Sequence, residues 1–350
     1  METIMMQWML LGLVGCGSSA QDTADTSEPV GIADFSTAGA YTPGTGATEI
    51  TGSSGVPLTV QYWYPSSEDP SGDPIVYDSL AEGGAYEGLT ADCAQQRPVL
   101  VFSHGYSGVR WQSSFFMEHL ASHGYIVVAP DHTHNTLFDN DNAQFLDVVT
   151  RRPVDVRDSF DWLVTASADA DSPLYGCVDE AQGYAVSGHS FGGYTAYVAA
   201  GADISDPADT TQTLQLGDSR VWAAIPLAPW DVDGILSTGT AAITVPVMTL
   251  SGTKDTTTDW DMVSGLHNGL TVTPRYLGEF PDAGHYSFAP IACMVYSSTN
   301  GCGDRFIDEQ TLTALVNVAG TSFLESVRGS DGAIDQLPAD SDDLMWEIVE

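Results

Sequence analysis

Gly188-His189-Ser190-Phe191-Gly192 lies between an apolar run, Tyr184-Ala185-Val186-Ser187, and a small-residue segment, Thr195 to Ala200. A serine on a tight strand-to-helix turn has its hydroxyl pushed out above the sheet, where a nucleophile is needed. Glycines on both sides suit such a turn, because strand and helix pack too closely there to admit Cβ atoms. Ser190 is therefore the candidate nucleophile. A serine hydroxyl stays weak until a histidine takes its proton, and that histidine needs an acid to fix its tautomer. On this kind of turn the expected chain order is serine, acid, histidine. His285 follows the apolar run Arg275 to Phe280 and is the candidate base. Asp255 follows the run Val245 to Leu250 and is the preferred acid. Asp231, Asp259 and Asp282 compete with it, and Asp231 is the main alternative because it too follows a strand-like run, Ala223 to Leu227.

A tetrahedral oxyanion calls for two preorganised N–H donors. Phe191, next after the nucleophile, is one candidate; Tyr106, in Ser103-His104-Gly105-Tyr106-Ser107-Gly108 after another apolar run, is the second. The remaining histidines have plainer readings. His189 packs beside the turn and His104 supports the oxyanion loop. His132 and His134 either line the cleft or bond locally, and His119, His123 and His267 are structural or exposed. None has metal-ligand spacing, and Asp139-Asn140-Asp141 fixes no ligand geometry. No metal and no cofactor are expected.

Several elements must carry these residues. Thr48 to Thr51 and Leu58 to Tyr64 read as strands joined through Gly52-Ser53-Ser54-Gly55, a hairpin signal. Short apolar runs at Val99 to Phe102, Tyr125 to Ala129, Tyr184 to Val186, Ala223 to Leu227, Val245 to Leu250 and Arg275 to Leu277 suit strands buried on both faces. Helices are expected at Gln112 to Ser122, Arg151 to Ala166, Thr195 to Ala200 and Asp308 to Arg328. The alternation predicts an α/β-hydrolase fold, a mostly parallel twisted sheet with helices on both faces. Asp69 to Gln96, Asn135 to Val149 and Ala202 to Ser219 read as insertions able to shape a cleft.

The expected layout is a signal peptide over 1–15, a flexible tether over 16–34, the catalytic domain over 35–328 and an acidic tail over 329–350. Ile4 to Val14 is apolar but too short to span a bilayer. Leu13-Val14-Gly15-Cys16 resembles the bacterial lipobox, so lipidation at Cys16 is expected, although Met1 to Gln7 lacks the usual basic residue. The alternative is a secretory signal cut nearby, after Ala20 for instance. Either way the chain is exported, anchored at the cell envelope or secreted.

Ten Lys and Arg against 47 Asp and Glu leave a formal charge of −37, with Lys254 the only lysine. Such a surface repels phosphates, so no nucleic-acid partner is expected, and membrane contact only through the lipid anchor. A monomer is anticipated. Without Cys16 four cysteines remain: Cys93, Cys177, Cys293 and Cys302. In an exported protein an even count suggests disulfides. Cys93 and Cys177 precede strands that are parallel neighbours in this fold, and a short polar loop separates Cys293 from Cys302, so these pairings are preferred. Free thiols or a zinc site are the alternatives, although Cys-x-x-Cys spacing is lacking.

Longer stretches carry a family resemblance. Gly105-Tyr106-Ser107, Gln112-Ser113-Ser114, Leu120 to Val128, Ser172 to Asp179, Gly188 to Gly193 and Ala223 to Asp231 are similar to bacterial cutinase-like polyesterases, the group that includes poly(ethylene terephthalate) hydrolases. The resemblance implies a Ser190–Asp255–His285 triad and Tyr106 and Phe191 as oxyanion donors. It also implies an aromatic substrate surface of Tyr106, Phe191, Trp230 and Tyr286, with Trp111 nearby. Phe191 departs from the methionine usual at its position. Val101 to Gly105, Gly188 to Gly193 and Ala129 to His132 also resemble platelet-activating-factor-acetylhydrolase-like and dienelactone-hydrolase-like esterases. Ester hydrolysis is common to both resemblances. The expected substrates are short- and medium-chain acyl esters, with polyesters within reach; the rival class is a catalytically silent surface-binding lipoprotein.

Overall fold

The computed structural model describes residues 33–231, 234–236, 239–296 and 299–350. The expected signal peptide, Cys16 and most of the tether lie outside them. Apolar runs become strands where β-branched and aromatic residues alternate between two buried faces. In order the elements are β1 (Thr42–Thr51), β2 (Pro57–Ser66), β3 (Val76–Tyr77), β4 (Ala81–Glu82), β5 (Tyr86–Glu87), β6 (Val99–Ser103), α1 (Ser114–Ser122), β7 (Ile126–Pro130) and α2 (Phe145–Ala168). Then come β8 (Tyr184–His189), α3 (Phe191–Ala199), β9 (Asp203–Asp206), β10 (Asp209–Gln215), β11 (Val221–Leu227), β12 (Val247–Gly252), α4 (Trp260–Asn268), β13 (Arg275–Phe280), α5 (Glu309–Val327) and β14 (Met345–Val349).

Ten of the strands form one sheet, ordered β14-β13-β12-β11-β8-β6-β7-β2-β1-β5. The run from β13 to β7 is parallel throughout, while β14 and β2 join it antiparallel. This is the α/β-hydrolase fold. In β6, Val99 and Val101 face one core with Val156 and Phe160 of α2, while Leu100 and Phe102 face the other with Phe116 and Phe323. Burial on both faces explains the unbroken apolar reading of the central strands.

Three features differ from the sequence reading. α2 begins at Phe145, before the expected Arg151, and keeps Pro153 in its interior. α4 was not anticipated; Asp259 caps it by accepting a hydrogen bond from the Met262 N–H at 3.0 Å. The supposed acidic tail over 329–350 is the third, and it is corrected. Met345–Val349 adds an edge strand to β13, Leu344 is buried, and Gln336 accepts the Phe35 N–H. Aspartates dominate the composition before it and hide the short Met345-Trp346-Glu347-Ile348-Val349 strand.

Of the insertions, residues 69–96 hold β3, β4 and β5, and residues 202–219 form the β9–β10 hairpin. Disulfides join Cys93 to Cys177 and Cys293 to Cys302.

Candidate active site

Ser190 sits between β8 and α3 with φ 59° and ψ −116°, a conformation that costs a non-glycine residue energy and needs its surroundings to hold it. Those surroundings are close. A Cβ on Gly192 would overlap the Ser103 carbonyl, one on Gly188 would overlap the Gly192 carbonyl, and one on Gly193 would lie 2.6 Å from Pro229 Cα.

The Ser190 hydroxyl lies 2.8 Å from His285 Nε2, and His285 Nδ1 lies 2.7 Å from Asp255 Oδ2. The three residues reach this arrangement from the ends of parallel strands in one sheet: β8 supplies the serine, and beyond the intervening β11 the turn after β12 supplies the acid and the turn after β13 the histidine. Asp255 also accepts the Thr257 and Thr258 N–H groups and the Thr258 hydroxyl. Burial alone would raise its carboxyl; the hydrogen bonds from His285 and Thr258 outweigh burial and hold it below the ordinary range. The competing carboxylates are engaged elsewhere. Asp231 accepts the Leu236 N–H, Asp259 caps α4, and Asp282 pairs with Lys254 Nζ at 2.6 Å.

Phe191 is the first residue of α3, so its N–H has no acceptor within the helix. Tyr106 follows β6 on a loop tied down by side chains. Gln112 accepts the Gly105 N–H at 3.1 Å and contacts His189 Nδ1 at 3.1 Å; His189 in turn bonds the His285 carbonyl at 3.0 Å. Burial and the neighbouring His285 pull His189 down to about 3, so its ring is neutral and acts as a brace.

Below this loop lies a fully buried polar cluster. Arg152 donates to the His104 carbonyl, to Asn135 Oδ1 at 2.6 Å and to Thr195 Oγ1 at 3.1 Å, and its guanidinium stands 4.4 Å above the Phe191 ring. His104, with its ring buried, accepts the His132 N–H at 3.0 Å.

Ser190 and His285 open into a cleft of about 480 Å³ with mostly apolar walls. Tyr106, Trp111 and Tyr286 line it, as the sequence led us to expect. The Phe191 side chain does not, which corrects its assignment to the substrate surface, and half-buried Trp230 is not among the residues lining this cleft. The Phe191 ring is wholly buried beneath Arg152, and Trp230 packs edge-on against it at 5.4 Å. The cleft walls include residues that sequence reasoning missed: Leu80 after β3, Leu137, and Met294, Val295 and Tyr296 from the disulfide loop. Tyr296 stacks on Tyr286 at 4.8 Å with planes 5° apart. Leu137 belongs to the insertion over 135–149, which is pinned to the oxyanion loop by the Leu137 N–H to Gly108 carbonyl bond. Of His132 and His134, the first is buried in the polar cluster and the second pairs with Asp139 at the surface. Among the described residues no cluster of His, Cys, Asp and Glu could hold a metal ion.

A family model for PET hydrolase-like proteins matches residues 81–315, more than half of the chain. The chain belongs to the PET hydrolase-like family. Ser190, Asp255 and His285 all fall within the span shared with the family, whereas Leu80 and β14 lie outside it. Cutinase est2 of Thermobifida alba is 29% identical over 222 residues, covering 61% of this chain and 61% of that protein. Cutinase est1 of the same organism is 31% identical over 160 residues, covering 45% of this chain and 42% of its own length. A ferulic acid esterase from Streptomyces cinnamoneus superimposes with a TM-score of 0.61 at 21% identity, covering 87% of this chain and 96% of that one. That likeness speaks to the fold.

Proposed function

We propose that this protein is an exported serine carboxylic-ester hydrolase of the cutinase-like kind. The reading rests above all on the unbroken hydrogen-bond chain from Ser190 through His285 to Asp255, opening into an apolar cleft. His285 Nε2 takes the Ser190 proton as Oγ attacks the ester carbonyl. The oxyanion is received by the Tyr106 and Phe191 N–H groups, and Asp255 stabilises the imidazolium. The imidazolium returns the proton to the leaving alkoxide, and an acyl-enzyme remains. His285 then deprotonates a water that attacks the acyl carbon, releasing the acid and restoring Ser190.

Apolar walls from Leu80, Leu137, Val295 and Tyr296 favour short- and medium-chain acyl groups, roughly four to eight carbons for a pocket of this size. Aliphatic or aromatic polyesters are further candidate substrates, since the two Thermobifida alba relatives are cutinases and the family is PET hydrolase-like. Two disulfides fit an oxidising compartment, which supports export. Lipidation at Cys16 belongs to the same proposal, on the strength of the Leu13-Val14-Gly15-Cys16 motif.

The test is turnover of p-nitrophenyl esters of rising acyl length beside polyester film, with Ser190→Ala as the control. Butyrate and octanoate esters should be cut faster than long-chain triglycerides. Faster cleavage of triolein would leave a lipase instead, and no ester hydrolysis at all would favour a silent binding protein.

A further inference from the structure

Asn300 lies in the loop closed by the Cys293–Cys302 disulfide, and its hydrogen bonds reach both the acid turn and the base turn. Its side-chain oxygen accepts the Thr256 N–H at 3.0 Å and the His285 N–H at 3.2 Å. Its side-chain nitrogen donates to Thr257 Oγ1 at 2.8 Å, and its backbone carbonyl accepts the Tyr286 N–H at 2.8 Å. One residue thus bonds the two positions after Asp255 and the backbone of His285 and its neighbour. The turns after β12 and β13 are also tied at their bases, by the Thr253 N–H to Phe280, the Thr253 hydroxyl to Pro281, the Lys254 N–H to Ala283 and Lys254 Nζ to Asp282, and Thr258 Oγ1 lies 3.2 Å from His285 Nδ1; among these ties Asn300 bonds the backbone N–H of His285 itself.

The backbone around Asn300 is built for this reach. Its φ of 40° is left-handed, a region that asparagine tolerates better than most residues. Gly301 follows at φ 114°, and a Cβ on Gly284 would overlap the Asn300 and Gly301 backbone, so the loop lies directly against the base turn. The Ser287 hydroxyl adds a bond to the Gly301 carbonyl at 3.3 Å. The disulfide closes a loop with a sequence separation of nine, which restricts where Asn300 can travel.

We propose that Asn300, held by the Cys293–Cys302 loop, is a positioning residue that sets the distance between Asp255 and His285. The proposal builds on the hydrolase reading above for its kinetic consequence, but the positioning itself has a readout independent of turnover. Asn300 is not among the residues lining the cleft, and it acts through the two turns it bonds. Loss of the clamp should loosen the Nδ1–H to Oδ2 bond while leaving the apolar walls that bind the acyl group largely in place.

The experiment compares wild type with Asn300→Gly, which keeps the left-handed backbone and deletes the side chain, and Asn300→Asp, which keeps the acceptor oxygen. For p-nitrophenyl butyrate, Asn300→Gly should lower kcat about 10- to 100-fold with KM nearly unchanged, since misplacing a catalytic group by about 1 Å can cost 10²-fold. Asn300→Asp should recover most of that loss. In proton NMR the downfield resonance of the His285 Nδ1–H should broaden or move upfield in Asn300→Gly and return in Asn300→Asp. The Cys293→Ser, Cys302→Ser double variant should change kcat and the resonance in the same direction. Melting temperatures of all variants separate a folding defect from a positioning one. A Gly variant that melts earlier but keeps wild-type kcat and the wild-type resonance overturns the proposal. If wild type cuts no ester, the hydrolase reading fails and the resonance alone decides the role of Asn300.

Discussion

Ser190, His285 and Asp255 are joined at 2.8 and 2.7 Å; Ser103, His132 and Asp155 are joined at 2.9 and 2.8 Å. In both chains Nε2 of the imidazole faces the hydroxyl and Nδ1 faces the carboxylate. Their surroundings diverge completely. Ser190 lines the cleft in a strained left-handed conformation beside a helix N-terminus, whereas Ser103 ends the regular strand β6 and is fully buried. Ser103 Oγ also lies 3.2 Å from Arg152 Nη2, a cation beside the ring that would have to accept a proton. Burial first, then Arg152, push His132 well below its ordinary value. No substrate reaches Ser103, and its histidine resists protonation. The second chain is therefore a brace joining β6, the end of β7 and α2 under the oxyanion loop. Connectivity alone does not make a nucleophile; access, strain and waiting N–H donors do.

The two carboxylates separate in the same way. Hydrogen bonds overcome burial at Asp255 and hold it low. At Asp155 burial wins over Arg151 and Arg152 and lifts the carboxyl to about 7, with one oxygen left without a hydrogen-bond partner among the described residues.

Breaking the comparison at its serines should give the largest effect. Ser190→Ala should cost several orders of magnitude in ester turnover, because the three residues act as one unit, and an organophosphate label should map to Ser190. Ser103→Ala should leave turnover close to wild type and lower stability by about 1–3 kcal/mol, seen in denaturant melts. A label on Ser103 would dissolve the distinction. At the acids, Asp255→Asn should reduce kcat roughly 10⁴-fold, while Asp231→Asn stays mild. The reverse ranking in steady-state kinetics would move the acid to the turn after β11.

A smaller effect is expected at the cation. Arg152→Met leaves the His104 carbonyl, Asn135 Oδ1 and Thr195 Oγ1 without their buried donor, and unfolding should become easier by about 3 kcal/mol. Urea midpoints equal to wild type would show that the cluster is not a brace. The smallest effect is in pH dependence. Asp255, held low when folded, contributes stability that is present above the ordinary carboxylate value and lost as pH falls through its folded value. Asp155, raised to about 7, does the opposite: its unfolded form ionises first, so stability declines from about pH 4 to about pH 7 and is level above that. Stability differences between wild type and Asp255→Asn or Asp155→Asn, followed across pH, should slope in opposite senses.

Much of the fold was legible because its signals are local. The two-faced burial of β6, β7, β8, β11, β12 and β13 writes itself as short apolar runs, and the turn at Ser190 announces itself in five residues. β14 was missed because an edge strand packs only one face and follows a run of aspartates. α4 was missed because Trp260 to Asn268 mixes polar and apolar residues without a long repeat. At the site, His285 could be read from chain order. Asp255 and Asp231 both follow strand-like runs, and only the fold shows that the Asp255 carboxylate meets His285 while Asp231 accepts the Leu236 N–H. Asn300 carried no chemical signal at all, only the Asn-Gly pair of an ordinary turn.

The sequence by itself determined the strand-and-helix alternation, the strained serine turn and the residue types of the site, because each depends on neighbours a few positions away. Tertiary structure decided which residues meet across long separations: Asp255 with His285 at 30 positions, Ser190 with His285 at 95, Arg152 with the Phe191 ring, and Leu80 and Tyr296 on the walls of one cleft. Those partners are chosen by sheet order and by what each buried polar group must bond once water is gone, and neither quantity is written in any single stretch of chain.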